Sequence, residues 1–165
     1  PDYLASLEGR FSAMMARVVE INQEALQMGL HLLIFPEGTR QLRLGRGHTG
    51  AAQIALYTGA PVVPIGCNGS DRCYPKDSPL SRGGAITYRV GAPLRPEAEL
   101  RPFRDAVAGR PFVPFTASAE VHGATFRAMT DLMMDRINAL LDPPYQRDPE
   151  ASGPSGEGEG AKRFL

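Results

Sequence analysis

The sequence predicts an α/β domain with a partly parallel, mixed sheet flanked by helices. Three observations carry this. Apolar residues recur at helical spacing through residues 4–28 and again through 118–141. Short apolar runs at 30–35, 60–67 and 85–90, bounded by Gly and Pro, read as strands. The order helix, strand, helix, strand, strand puts a helix between the first two strands, which is the connection that parallel pairing needs.

The first helix follows from Leu7, Phe11, Met14, Val18, Ile21 and Ala25, which fall three and four residues apart on one face. Gly29 is placed to cap it. Leu30 to Phe35 is a short apolar run that Pro36 ends, so it reads as a buried strand. Residues 41–47 form an Arg/Gly-rich loop. Residues 48–58 read as a second helix with Ala51, Ile54, Ala55 and Leu56 inward, stopped by Gly59. "APVVPIGC" is the next strand and Ala85 to Val90 the third. Residues 96–117 hold four prolines and read as an irregular connection. Val121, Phe126, Met129, Leu132, Met133, Ile137 and Leu140 return to the helical period. Pro143 and Pro144 close the domain at 142, and residues 143–165, rich in Gly, Ser, Glu and Pro, read as a disordered tail.

Charge excludes little, because 18 Lys and Arg balance 18 Asp and Glu. Residues 31–104 hold ten basic against five acidic side chains, a balance of +5. That stretch suits an anionic ligand or membrane face, or is a solvated basic surface. The basic residues are not interleaved with aromatics, so nucleic acid is not an expected partner. Cys67 and Cys73 fit neither a disulfide framework nor a zinc ribbon and are expected as thiols. No apolar run reaches the length needed to span a bilayer. There is no phosphate-binding G-x-x-x-x-G-K-[ST] loop and no G-x-S-x-G elbow.

The chemistry concentrates where the first apolar run meets Pro36-Glu37-Gly38-Thr39-Arg40. Ligand sites in α/β domains gather at the carboxyl ends of strands. Gly38 lets a ligand approach the backbone, Thr39 offers a hydroxyl and Arg40 a fork of donors matched to phosphate. Glu37 could orient that guanidinium or accept from a substrate hydroxyl. Two readings stay open: a phosphate monoester site, or a tight turn whose Glu37 and Arg40 pair with each other.

"FPEGTR" at 35–40 resembles the signature of the glycerolipid acyltransferases, the lysophosphatidic acid acyltransferase family. "APVVPIGCNGS" at 60–70 is similar to that family's next motif, and "RVGAPLRPE" at 89–97 to its later strand and Gly-x-Pro turn. The resemblance covers about residues 10–97 and implies a glycerol-3-phosphate acyltransferase-like fold. It also implies transfer of a fatty acyl group from acyl-CoA or acyl carrier protein to a lysophospholipid hydroxyl, most simply lysophosphatidic acid to phosphatidic acid. Glu37, Gly38, Thr39 and Arg40 would line the acceptor-phosphate site, with Val62, Val63, Pro64 and Ile65 shaping the wall nearby. Neither a metal nor a cofactor is implied. The partners would be the lysophospholipid, the acyl donor and a membrane surface. The implied location is the cytoplasmic face of a membrane, held peripherally or anchored through an N-terminal part.

The family's base is a His oriented by an Asp in H-x-x-x-x-D, upstream of the hexapeptide. Five positions after His31, His48 and His122 stand Pro36, Gln53 and Arg127, so no catalytic residue is expected in this chain. The start at Pro1, inside a helix, predicts the C-terminal part of a longer acyltransferase, truncated at its N-terminus and silent alone. The alternative is a non-catalytic phospholipid- or phosphate-binding derivative. Where the family often has Lys-Gly, this chain has Thr49-Gly50, so Arg46 or His48 is expected to supply that charge. His31 and His122 read as structural, and Asn68, Ser70, Asp71 and Arg72 as a turn.

Overall fold

The structure, a computed structural model, describes residues 2–75 and 80–148. Helix α1 spans Asp2–Gln27. It ends in the hydrogen-bonded cap that glycine makes accessible: Gly29 has φ +77, its N–H donates to Leu26 O, and the Leu30 N–H donates to Ala25 O at 2.9 Å. The apolar face of α1 is not covered. Leu7, Phe11, Met14, Val18 and Ile21 are all exposed, Phe11 by 56%, and Val19 is the helix's buried apolar residue among those described.

Helix α2 spans Gly50–Thr58 and ends at Gly59, whose φ of +67 breaks the helix. Its small residues Ala51, Ala52 and Ala55 let neighbouring elements approach closely. Strand β1 spans Ile65–Asn68, a short helix α3 spans Ser70–Cys73, and strand β2 spans Thr87–Val90. The two strands are antiparallel, with Ile65 opposite Val90 and Asn68 opposite Thr87. Past Pro64 the pairing resumes as a single bridge between Val62 and Leu94.

This corrects the expected topology. Among the described residues the sheet has two antiparallel strands, and the 30–35 run is unpaired, so the parallel pair is not formed. An apolar run becomes a strand only when a second backbone meets its N–H and C=O groups, and none does so here. Leu33 and Phe35 are correspondingly exposed.

The connection expected to be irregular contains helix α4, Arg101–Ala108. Pro102 sits in its first turn, where a missing N–H costs nothing, so the prolines of 96–117 did not forbid a helix. The last helical stretch is two helices, α5 at Ala117–Glu120 and α6 at Gly123–Asn138. Between them His122 turns inward. Its Nε2–H donates to Arg110 O at 2.8 Å, and its ring meets Phe112 and Phe126 edge-on.

Two apolar clusters meet on α6. The larger joins Ala51, Ala52 and Ala55 to Leu94, Leu100, Val107, Phe112, Phe126, Met129 and Met133. The smaller joins Leu44, Met134, Leu141 and Tyr145. Tyr145 belongs to a 3-10 turn at Pro143–Tyr145, and its carbonyl accepts the Leu44 N–H at 2.9 Å. The packed chain therefore runs past residue 142, into what the sequence assigned to a tail. The rest of that tail, residues 149–165, lies outside the described residues.

Candidate functional site

The hexapeptide begins with a tight turn. The Gly38 N–H donates to Phe35 O at 3.1 Å, with Pro36 at the position whose fixed φ suits such a turn. Gly38 has φ +65, and a Cβ there would lie 3.2 Å from His48 Cδ2. The imidazole of His48 thus lies against the turn, and both conformation and space call for glycine.

Two hydrogen bonds fold the following loop back onto the turn. Glu37 Oε1 accepts the Gly45 N–H at 2.6 Å. The His48 N–H donates to Pro36 O at 2.7 Å. Arg40 turns elsewhere: its Nη2 donates to the Tyr74 carbonyl, 34 residues on. Glu37 and Arg40 therefore have different partners. Glu37 braces the loop, and the tight turn closed by their mutual pairing is not what forms. Gly38, Thr39, Arg40, Arg46 and His48 are exposed and Glu37 is half-buried.

Helix α2 starts two residues after His48, and its first turn has no acidic side chain. The positive end of its dipole is thus not offset from within the helix. The Arg/Gly loop, the turn and this helix end bring Glu37, Gly38, Gly45 and His48 into one neighbourhood through the contacts just described, and Arg46 follows Gly45 in that loop. An arrangement of exposed guanidinium, imidazole and helix end is suited to an anion.

Beside the start of α2 is an open cleft of about 470 Å³, lined by residues including Thr49, Gln53, Phe115, Thr116 and Glu120. Phe115 has φ +64, a strained value for a residue with a side chain. Its N–H is held by Gln53 Oε1 at 2.8 Å, and its ring covers Gly50, where a Cβ would come within 3.1 Å of Cε1. Sequence reading missed Gln53 and Phe115. The one available signal was Gly50 at a helix start, and it does not name its neighbour.

Asn68, Ser70, Asp71 and Arg72 do not form the expected turn: Asn68 ends β1, and the other three lie in α3. Asn68 is buried, accepts the Asp142 N–H at 2.7 Å and donates to Leu140 O at 3.3 Å. The Tyr145 phenol is raised above its ordinary value, first by its hydrogen bond to Asp71 and then by burial. The Tyr88 phenol is raised by Cys67, which faces it across the two strands. Both cysteines are free thiols, as expected. Of the wall residues, Pro64 is buried and Val62 half-buried, while Val63 and Ile65 are exposed. His31 is exposed, and His122 is the packed residue that its position on the last helical stretch suggested.

Comparison with known proteins falls on this same region. The family model described as Acyltransferase matches residues 9–68, from α1 through the turn and α2 to the end of β1. A 1-acyl-sn-glycerol-3-phosphate acyltransferase of Cocos nucifera is 34% identical over 86 residues, 51% of this chain and 28% of that protein. A protein of the same description from Pseudomonas aeruginosa is 31% identical over 87 residues, 52% of this chain and 34% of that protein. The chain thus matches about a third of the length of these relatives. No solved structure matches it. The signature turn, the helix behind that turn and these relatives agree in making residues 9–68 similar to the Acyltransferase family.

Proposed function

We propose that this chain holds the acceptor phosphate for an acyltransferase that esterifies a lysophospholipid, most simply converting lysophosphatidic acid to phosphatidic acid. The observation that carries this reading is the closure of the hexapeptide turn onto the 41–48 loop at the start of α2. That closure leaves Thr39, Arg40 and Arg46 exposed, the first two in the turn and Arg46 in the loop that folds back onto it. Arg40 would exchange the Tyr74 carbonyl for phosphate oxygens, and its fork allows two parallel bonds. Arg46 and His48 would add charge, and Glu37 would keep the loop in place rather than touch substrate.

In the reaction, a base removes the proton of the acceptor hydroxyl. The oxygen then attacks the thioester carbonyl of acyl-CoA or acyl carrier protein, and the thiol leaves with a proton. The sequence contains no H-x-x-x-x-D, so on this reading the base comes from a longer polypeptide and the 165-residue chain binds without turnover. The acceptor's fatty tail would keep the site at a membrane surface, on the cytoplasmic face. No described helix is long and apolar enough to cross a bilayer itself. The missing base pair also supports a second reading, a binding module with no catalytic partner. Acyl transfer by the longest open frame containing this chain separates the two.

The test is calorimetric titration of the chain with short-chain lysophosphatidic acid. Arg40→Ala is expected to weaken binding about 10- to 100-fold, the range for a lost hydrogen bond between charged groups. Equal affinity in wild type and Arg40→Ala would remove Arg40 from the site.

A further inference from the structure

We propose that Arg127, on α6 and outside every motif of the family model's match, positions the Arg46–His48 end of the anion site. The inference rests on the acceptor-phosphate reading. Its basis is a single peptide plane. The carbonyl of Gly47 accepts from Arg127 Nη2 at 2.7 Å. The N–H on the opposite side of that plane, that of His48, donates to Pro36 O at 2.7 Å. In a trans peptide these two groups point in opposite directions, so α6 and the signature turn grip the same rigid unit from either side.

The grip has little slack. Gly47 is buried, and a Cβ on it would lie 2.8 Å from Met134 Sδ, 2.9 Å from Met134 Cγ and 3.0 Å from Thr130 Cγ2. All three atoms belong to α6. The Arg127 side chain is 25% exposed, and its Nε lies 3.3 Å from Asp131 Oδ1. That buried Nε makes no hydrogen bond of acceptable angle, so Asp131 balances the charge while the Gly47 carbonyl takes the directed bond. Without the guanidinium, the 47–48 plane is held on one side alone. It can then rotate, which lifts the His48 ring from Gly38 and moves the Arg46 stem next to it. Arg127 touches no ligand on this account and acts through Gly47. A bond spanning 80 residues is invisible to any local motif.

The test compares wild type, Arg127→Met and Arg127→Lys by calorimetric titration with short-chain lysophosphatidic acid. Amide spectra of each ligand-free chain are recorded alongside. Arg127→Met is expected to bind about tenfold more weakly, as when a group that orients a ligand's contacts is removed. Its Gly38 and His48 amide signals should shift while those of α4 stay in place. Arg127→Lys, which restores a donor, should recover affinity and return those signals toward wild type. Unchanged affinity and unchanged Gly38 and His48 amides in Arg127→Met would overturn the positioning role and leave the acceptor reading standing. Absence of binding by wild type would overturn the acceptor reading, and the positioning role with it. A loss shared equally by the Met and Lys variants, with amides shifting throughout the chain, would mark Arg127 as a packing residue only and also overturn the proposal.

Discussion

Phe126→Ala is expected to cost about 3–5 kcal/mol of folding stability, the range for emptying a buried aromatic site. Phe126 is 1% exposed and stands at the centre of the larger cluster. Its ring meets Phe112 edge-on at 5.0 Å and His122 at 5.9 Å, a geometry that adds to the value of burial alone. The three rings join α6 to the segment after α4, so the void cannot be filled by sliding one neighbour. A domain of this size has about 5–15 kcal/mol in total, and the variant would retain a small part of it. Urea denaturation followed by circular dichroism measures the loss. A change below about 1 kcal/mol would show that the cluster collapses onto the space.

Gly66→Ala is expected to cost about 3 kcal/mol, the upper part of the range for overpacking. The added methyl would lie 2.7 Å from Leu140 Cβ and 2.9 Å from the Leu140 carbonyl oxygen. The obstacle is backbone, and it is held: Arg89 Nη1 and Asn68 Nδ2 both donate to that oxygen. Relief would have to come from β1, which is tied residue by residue to β2. Gly109→Ala is the control, because φ there is −74 and a Cβ meets nothing within 4 Å. That change should be neutral or slightly stabilising. Similar midpoints for the two variants in the same denaturation experiment would contradict the close approach of β1 to Leu140.

Much of the local structure was legible in the chain. The three-and-four spacing from Leu7 to Ile21 gave α1, Gly29 and Gly59 marked helix ends, and Pro36 and Gly38 marked the turn. These signals lie within a few residues of the structure they dictate. What was not legible depends on partners far along the chain. Leu30 to Phe35 has strand composition, but composition supplies no second backbone. β1 and β2 pair antiparallel across the long stretch 69–86, which no hairpin signal announces. Pro102 counted as a helix breaker until its place in a first turn was known. The same division runs through the site. Glu37, Gly38 and Arg40 are recognisable as a motif, yet their partners Gly45, His48 and Tyr74 are set by how the loop folds. Arg127 could be found only in three dimensions.

The uncovered seam of α1 has a practical consequence. Leu7, Phe11, Met14, Val18 and Ile21 present a row of apolar side chains to water, whereas α6 buries Phe126, Met129 and Met134. Environment-sensitive dyes such as anilinonaphthalene sulfonate brighten on exposed apolar surface, and their signal is usually taken as loss of tertiary structure. This chain would brighten such a dye while fully folded. Melting curves based on dye fluorescence would then start from a high baseline and understate its stability. The amide exchange of α6 is the safer gauge of its folded state.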